Sequence, residues 1–384
     1  MRDAVFSAID RKTEDYIAHW KRFSELESPT LDKAGVDLAS EYIAALGEEL
    51  GFSVTRFPME GAGDVFEITV NPSATDLPPV CFSGHVDTVH AKGAFGTPTV
   101  RIEGGKIYGP GVTDCKGGIV AALLAMDALR EGGFTARPVR LLLQSDEEMG
   151  SRPSGRRSIE TVCQRARDAA AFLNLEESHP GTLTITRKGI LTFTFHVRGQ
   201  AAHASMCATM GANAILEAAH KIIACEAWKD EEGITCNAGI ISGGTVPNAV
   251  AEECTFRVDT RYATPEERER ITAFMRELAG RVFVPGCTTD LTVPPRGRIA
   301  MVLTEENQKL AERLNRIFED NGMERLRPIR SKGGSDAADV TEAGIPCLDN
   351  FGTVGGWVHS TKEYGRLDSL APAAKRLALA ALFL

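Results

Sequence analysis

The chain has 384 residues, 43% hydrophobic and 25% charged, with a formal net charge of −9, which is too long for one ordinary core and implies two domains, one inserted into the other. The acidic balance argues against a nucleic-acid or anionic-membrane partner, and the densest basic cluster, Arg152 to Arg157, reads as a solvated loop. Residues 1–12 lack an apolar signal core, no window approaches the roughly 18 apolar residues of a membrane span, and nine scattered cysteines without a Cys-x-x-Cys pair read as reduced thiols. A cytoplasmic location is expected.

Val5, Ile9, Tyr16, Ile17, Trp20 and Phe23 predict an N-terminal helix, and Val36, Tyr42, Ile43, Leu46 and Leu50 a second. Short strands follow at 53–57 and 65–70. The apolar run Val80-Cys81-Phe82-Ser83, bounded by Pro78-Pro79, predicts a buried strand that ends where His85 begins. Residues 100–108 read as a hairpin with a glycine turn. Gly117-Gly118 opens a helix to about residue 130, striped by Ile119, Leu123, Met126 and Leu129. A buried strand at 139–145 ends at Asp146-Glu147-Glu148, a helix covers 159–167, and a strand at 169–175 ends at Glu176-Glu177. This alternation predicts a doubly wound mixed α/β sheet.

After Lys188-Gly189 the pattern changes. Leu191, Phe193, Phe195 and Val197 alternate with Thr192, Thr194 and His196, a strand with one wet face. A helix at 212–228, strands at 234–241 and 254–261, a helix at 265–282 and a strand at 288–293 complete a β-α-β-β-α-β order, the ferredoxin-like arrangement. The expected division is therefore a discontinuous α/β domain, 1–188 and 299–384, interrupted by an α+β lid at 189–298. After the lid come a helix at 304–321, a Gly-rich turn at Gly333-Gly334-Ser335-Asp336, a strand at 345–348 and a closing helix from Ser369.

Polar residues collect at predicted strand ends: His85, Asp87, Asp114, Glu147, Glu148, Glu176, and His359 in a Gly-rich loop. In an open α/β sheet that edge is where ligands gather. Asp114, just before a helix start, could be a helix cap or a metal ligand; the order of the whole set favours a ligand. Two imidazoles and several carboxylates suit a pair of borderline divalent ions, zinc first, with cobalt or manganese as substitutes. Asp87 is placed to orient His85. Cys115 is the one thiol that could touch a metal, and a small core residue is its better reading. His179, before Pro180 in a polar loop, reads as surface.

His85-x-Asp87, Asp114-x-Lys116-Gly117-Gly118, Asp146-Glu147-Glu148, Glu176 and His359 together resemble, over essentially the whole chain, the zinc-dependent peptidases and deacylases that include carboxypeptidase G, aminoacylase, acetylornithine deacetylase and succinyl-diaminopimelate desuccinylase. The resemblance implies two zinc ions bridged by Asp114, one completed by His85 and Glu176 and the other by Glu148 and His359, with Glu147 as general base. It also implies a cis Asp114–Cys115 peptide, a lid His203 that stabilises the oxyanion, and substrate contacts from Asn248 and Arg298. Gly334 and Ser335 are further candidate substrate contacts. Homodimerisation through the lid, with His203 reaching the partner's cleft, is part of the same implication.

Glu176, where related aminopeptidases have Asp, favours a carboxypeptidase or deacylase. Cys115 stands where Met is commoner, and 151–157 is slightly long. The expected function is hydrolysis of amide bonds in small peptides or N-acyl amino acids, with a preference such as C-terminal glutamate. An N-acyl amino acid deacylase, a ureido-amide hydrolase or a catalytically silent peptide-binding homologue are the alternatives.

Overall fold

The computed structural model describes all 384 residues and resolves them into two compact units. The first comprises Met1–Ile185, Leu303–Arg330 and Ser335–Leu384, the second Thr186–Val302 and Ser331–Gly334. No helix is long and apolar enough to cross a membrane, and all nine cysteines are free thiols.

The first unit is built on a six-stranded mixed sheet in the order Ser53–Phe57, Val65–Val70, Val139–Gln144, Val80–His85, Ala171–Asn174, Cys347–Leu348. The first three are joined antiparallel and the last four run parallel. The parallel strands are buried almost throughout, as expected where helices cover both faces, so their sequences are continuous apolar runs and not alternating ones. Helix Gly117–Glu131 carries Ala-Ala-Leu-Leu-Ala-Met in its interior and is buried on nearly every side. Helices Arg2–Glu25 and Leu370–Phe383 pack against it. Truncating a residue such as Leu123 there, 1% exposed, is expected to cost about 2–5 kcal/mol.

Parallel register decides where function can sit. His85 lies opposite Gln144, and Ser83 opposite Asn174, so the segments leaving the three central strands emerge on one edge. Gly118 lets the covering helix come close: a Cβ there would run into the Leu175 carbonyl, just before Glu176.

The second unit is a four-stranded antiparallel sheet, ordered Thr235–Gly243, Glu253–Tyr262, Gly189–Arg198, Thr288–Thr292, with helices Ala214–Glu226 and Pro265–Gly280. Leu191, Phe193, Phe195 and Val197 all face its core, and Phe195 stacks on its cross-strand partner Phe256 with ring centroids 4.6 Å apart. Thr235–Gly243 is an edge strand with a register shift between Asn237 and Ile240, and it exposes Ile240 and Ile241.

Candidate metal centre

His85 ends its strand with the ring 2% exposed. Its Nδ1–H donates to the main-chain oxygen of Asp87 at 2.9 Å, closer than the Asp87 carboxylate at 3.5 Å. That fixes the ring so that Nε2 faces Asp114 Oδ1 at 3.0 Å, with Glu176 Oε1 at 3.8 Å. On the other side His359 Nε2 lies 3.2 Å from Asp114 Oδ2 and 3.1 Å from Glu148 Oε2. Two sets of ligand atoms result, His85–Asp114–Glu176 and Asp114–Glu148–His359, each gathered within 4.8 Å and both containing Asp114.

The electrostatics of this cluster ask for positive charge. Burial opposes protonation of His85, but the Cys115 sulfur and the carboxylates of Asp114 and Asp87 outweigh it and hold its pKa well above the usual imidazole value. Hydrogen bonds to Asp114 and Glu148 raise His359 to about 11. Burial also opposes ionisation of Asp114, yet the two imidazoles hold its pKa far below the usual carboxylate range. Burial and the Asp114 charge push Glu148 up to about 7, although His359 pulls it down. Protons thus occupy the places where cations would relieve the crowding of carboxylates. Imidazole nitrogen and carboxylate oxygen are the donors that zinc accepts, so the residues fit a two-ion centre.

Asp87 does more than touch His85. Its carboxylate accepts from the backbone N–H of Glu147 at 3.1 Å and of Glu148 at 3.2 Å, and from the Thr30 hydroxyl at 2.8 Å. It therefore sets the short turn that carries both acids. Asp146, fully buried, is consumed in the loop that follows, accepting from Ser154 N at 2.8 Å and from the Ser158 hydroxyl. This pins residues 151–157. Glu147 is 5% exposed, and its charge is among those that raise Glu148.

The Asp114–Cys115 peptide is cis. Cys115 is buried within the site's wall, its sulfur accepting from His85 N at 3.0 Å, and burial pushes its thiol up to about 12. Lys116 is fully buried, with Nζ donating to the Leu26 carbonyl at 2.8 Å, so it caps the end of the first helix from inside the turn that carries Asp114. Burial lowers its pKa to about 7.

In the second unit His203 and Asn248 are both exposed and lie on paired loops: Ala204 N donates to Asn248 O at 3.0 Å and Val250 N to Ala202 O at 2.8 Å. The His203 ring meets the Ser205 hydroxyl at 2.8 Å. Arg298 pairs through its backbone with Ile190, and its Cδ would be 3.0 Å from a Cβ on Gly334. Ser335 belongs to the first unit, where its hydroxyl donates to the buried Asp349 at 2.5 Å. His179 is exposed.

Sequence reasoning passed over Glu363, His90 and Thr30. Glu363 follows His359 by four residues in Ser-Thr-Lys-Glu, which looks like a solvated loop. Only its 1% exposure and its partners reveal it.

A mixed sheet with one imidazole and acids at its parallel strand ends, joined by Asp114 and His359 from turns and loops in two overlapping ligand sets, belongs to the peptidase and amidohydrolase class of enzymes. The chain belongs to peptidase family M20/M25/M40, which matches residues 81–382. It is 28% identical over 384 residues to carboxypeptidase G2 of Pseudomonas sp. (strain RS-16), covering 99% of this chain and 91% of that one. It is 25% identical over 356 residues to the succinyl-diaminopimelate desuccinylase of Gluconobacter oxydans (strain 621H), covering 86% and 88%. Among solved structures, a tripeptidase from Staphylococcus aureus superposes with a TM-score of 0.81 at 21% identity, covering 97% and 98% of the two chains.

Proposed function

We propose that this chain is a two-zinc hydrolase that removes a C-terminal residue, glutamate or one similar, from small peptides or N-acylated amino acids. The observation that carries the reading is the pair of ligand sets sharing Asp114, beside a Glu147 whose backbone is locked to Asp87. Similarity to carboxypeptidase G2 over nearly the full chain supports the carboxypeptidase form of it. Similarity to a desuccinylase supports a second form, an N-acyl amino acid deacylase.

When bound, two divalent ions, zinc or in its place cobalt or manganese, would lower the pKa of a shared water and polarise the scissile carbonyl. His85, Asp114 and Glu176 would hold one ion, and Asp114, Glu148 and His359 the other. Glu147 would take a proton from the attacking water and return it to the leaving nitrogen. Asp87 fixes the Glu147–Glu148 turn and, through its carbonyl, the His85 ring.

The second unit, on this reading, is a lid and dimerisation domain. Its β-α-β-β-α-β order and exposed edge strand Thr235–Gly243 support pairing of two copies into one continuous sheet. His203, Asn248, Arg298 and Gly334 would then contact substrate, with His203 donating to the oxyanion in the partner's cleft. Ser335, in the first unit, would be a further substrate contact. Nine free thiols and the lack of a membrane-crossing helix accord with work in the cytoplasm.

A panel of dipeptides ending in glutamate and other residues, with acetyl and succinyl amino acids alongside, tests this in the presence of zinc or cobalt. Release of C-terminal glutamate at the highest kcat/KM is expected. Turnover confined to the acyl amino acids would favour the deacylase. No turnover by protein holding two ions would leave a peptide-binding homologue.

A further inference from the structure

Glu363 is the buried carboxylate that the metal centre just described leaves without a role. It is 1% exposed and gathers four donors from distant parts of the chain. Oε1 accepts from Thr113 N at 3.0 Å and Asp114 N at 3.2 Å; Oε2 accepts from Gly111 N at 3.2 Å and faces His90 Nε2 at 3.1 Å. Three backbone N–H groups of one turn converge on one anion. Such convergence is what a nest does for a bound phosphate, but here the anion is the protein's own.

The turn needs this. Residues Val112–Lys116 form a wide, irregular turn in which Asp114 (φ −116°, ψ 86°) and Cys115 (φ −128°, ψ 34°) leave helical geometry. No regular ladder therefore aims the Asp114 side chain. Gly111 enters it at φ 67°, where a Cβ would meet Thr88 Cγ2 at 2.7 Å. Glu363 is itself delivered by pairing of Tyr364–Arg366 with Lys106–Tyr108, and it sits at the end of the loop that presents His359. One carboxylate thus ties the backbone of the shared ligand Asp114 to the loop of His359.

We propose that Glu363, oriented by His90, is a positioning residue that presets the Asp114–Glu148–His359 half of the centre, an inference that rests on the two-metal reading. The opposite half depends on it less. His85 closes a strand, and Glu176 follows one by two residues, so two of that half's three ligands are aimed by the sheet. A glutamine at 363 keeps the shape but offers one acceptor oxygen to four donors and turns an amide N–H₂ toward backbone N–H groups.

The test is calorimetric titration of metal-stripped protein with Zn²⁺, repeated with Co²⁺ while its visible spectrum is followed. Wild type should bind two ions per chain; fewer would sink the two-metal reading and this inference with it. Glu363→Gln should still bind two, one of them about 10–100-fold more weakly, the range seen when a ligand's supporting partner is lost. Its weakly held Co²⁺ should show an altered spectrum. Affinities at both sites within twofold of wild type, or an equal loss at both, would overturn the proposal. Should Glu363→Gln fail to fold, His90 carries the same test. His90→Leu should weaken the same site in the same direction, and His90→Gln, which restores a donor near the ring Nε2, should recover it. No difference between those two variants would overturn the role of His90 and the selective support it implies.

Discussion

His85 and His359 approach Asp114 from its two oxygens, at 3.0 and 3.2 Å, but they are mounted in different ways. His85 closes a buried strand whose neighbours are fixed by parallel register on both sides, and its ring is 2% exposed. His359 stands in a loop with φ at 61°, its side chain 55% exposed. The first half of the centre takes its precision from the sheet, while the second must be held by side chains reaching back to loop backbone. Regular structure sets a ligand's backbone and leaves only the ring to be fixed by a neighbouring carbonyl, whereas a ligand on a loop needs a buried anion or a cap to do what the ladder does elsewhere.

Removing what the halves share should give the largest effect. Asp114→Ala takes a ligand from both sets, so metal content should fall toward zero. Turnover should drop by ~10⁴-fold or more, as when one member of an interdependent group is lost. Metal analysis beside kcat/KM checks it, and retention of two ions would show that Asp114 is not shared by the halves. Glu147→Gln touches neither set. A loss of about 10²–10⁴ in kcat is expected, with two ions still bound. Loss of metal in that variant would mean that Glu147, and not Glu148, is the ligand.

Asp87→Asn comes next, at about 10–100-fold in metal affinity or activity. Its carboxylate holds the N–H groups of both Glu147 and Glu148 while its carbonyl holds His85. The Glu148 half should therefore weaken, as at Glu363 but from the side of the other acid, while the His85 half, held through the unchanged backbone carbonyl, is affected less. Titration of the variant with Zn²⁺ reads the pattern directly.

The same contrast governs what the sequence made legible. His85, Glu147, Glu148 and Glu176 stand where apolar runs stop, because a buried parallel strand is written as a continuous hydrophobic stretch and its end is visible. Asp114 could be read from the glycines that follow it, Gly117 required by the approach to Thr353 and Trp20 and Gly118 by the approach to Leu175. Glu363 and His90 had no such signature. Their meaning lies in a contact 273 residues apart, and neither belongs to a periodic segment. The strands Thr182–Arg187, Arg327–Ser331 and Tyr364–Arg366 and the helix Ala337–Glu342 also went unread, being short and polar with pairing decided by distant partners. The return of Ser331–Gly334 to the second unit is likewise invisible to any boundary drawn along the chain. Asp87 shows the intermediate case: its nearness to His85 follows from spacing, but its grip on the Glu147–Glu148 turn depends on register between strands.

The smallest effect, and the finest test of the contrast, is in protons. Without metal, the surrounding carboxylates hold His85 well above its ordinary pKa and His359 at about 11, and burial puts Glu148 at about 7. At pH 7 the His359 ring therefore carries a proton that must leave before nitrogen can bind metal, His85 is biased the same way, and Glu148 carries roughly half of one. Metal uptake should release more than about one proton per chain at that pH. The sign follows: because the raised groups are protonated on the acid side, Zn²⁺ affinity should rise from pH 6 to pH 8 and not fall. Binding enthalpies measured in buffers of different ionisation heat give the number released. His359→Ala should lower it by less than one, since that ring no longer has a proton to give while Glu148, no longer pulled down by it, gives more of its own. A wild-type affinity that stays flat from pH 6 to pH 8, with no protons released, would mean that the free cluster is not arranged around protonated imidazole.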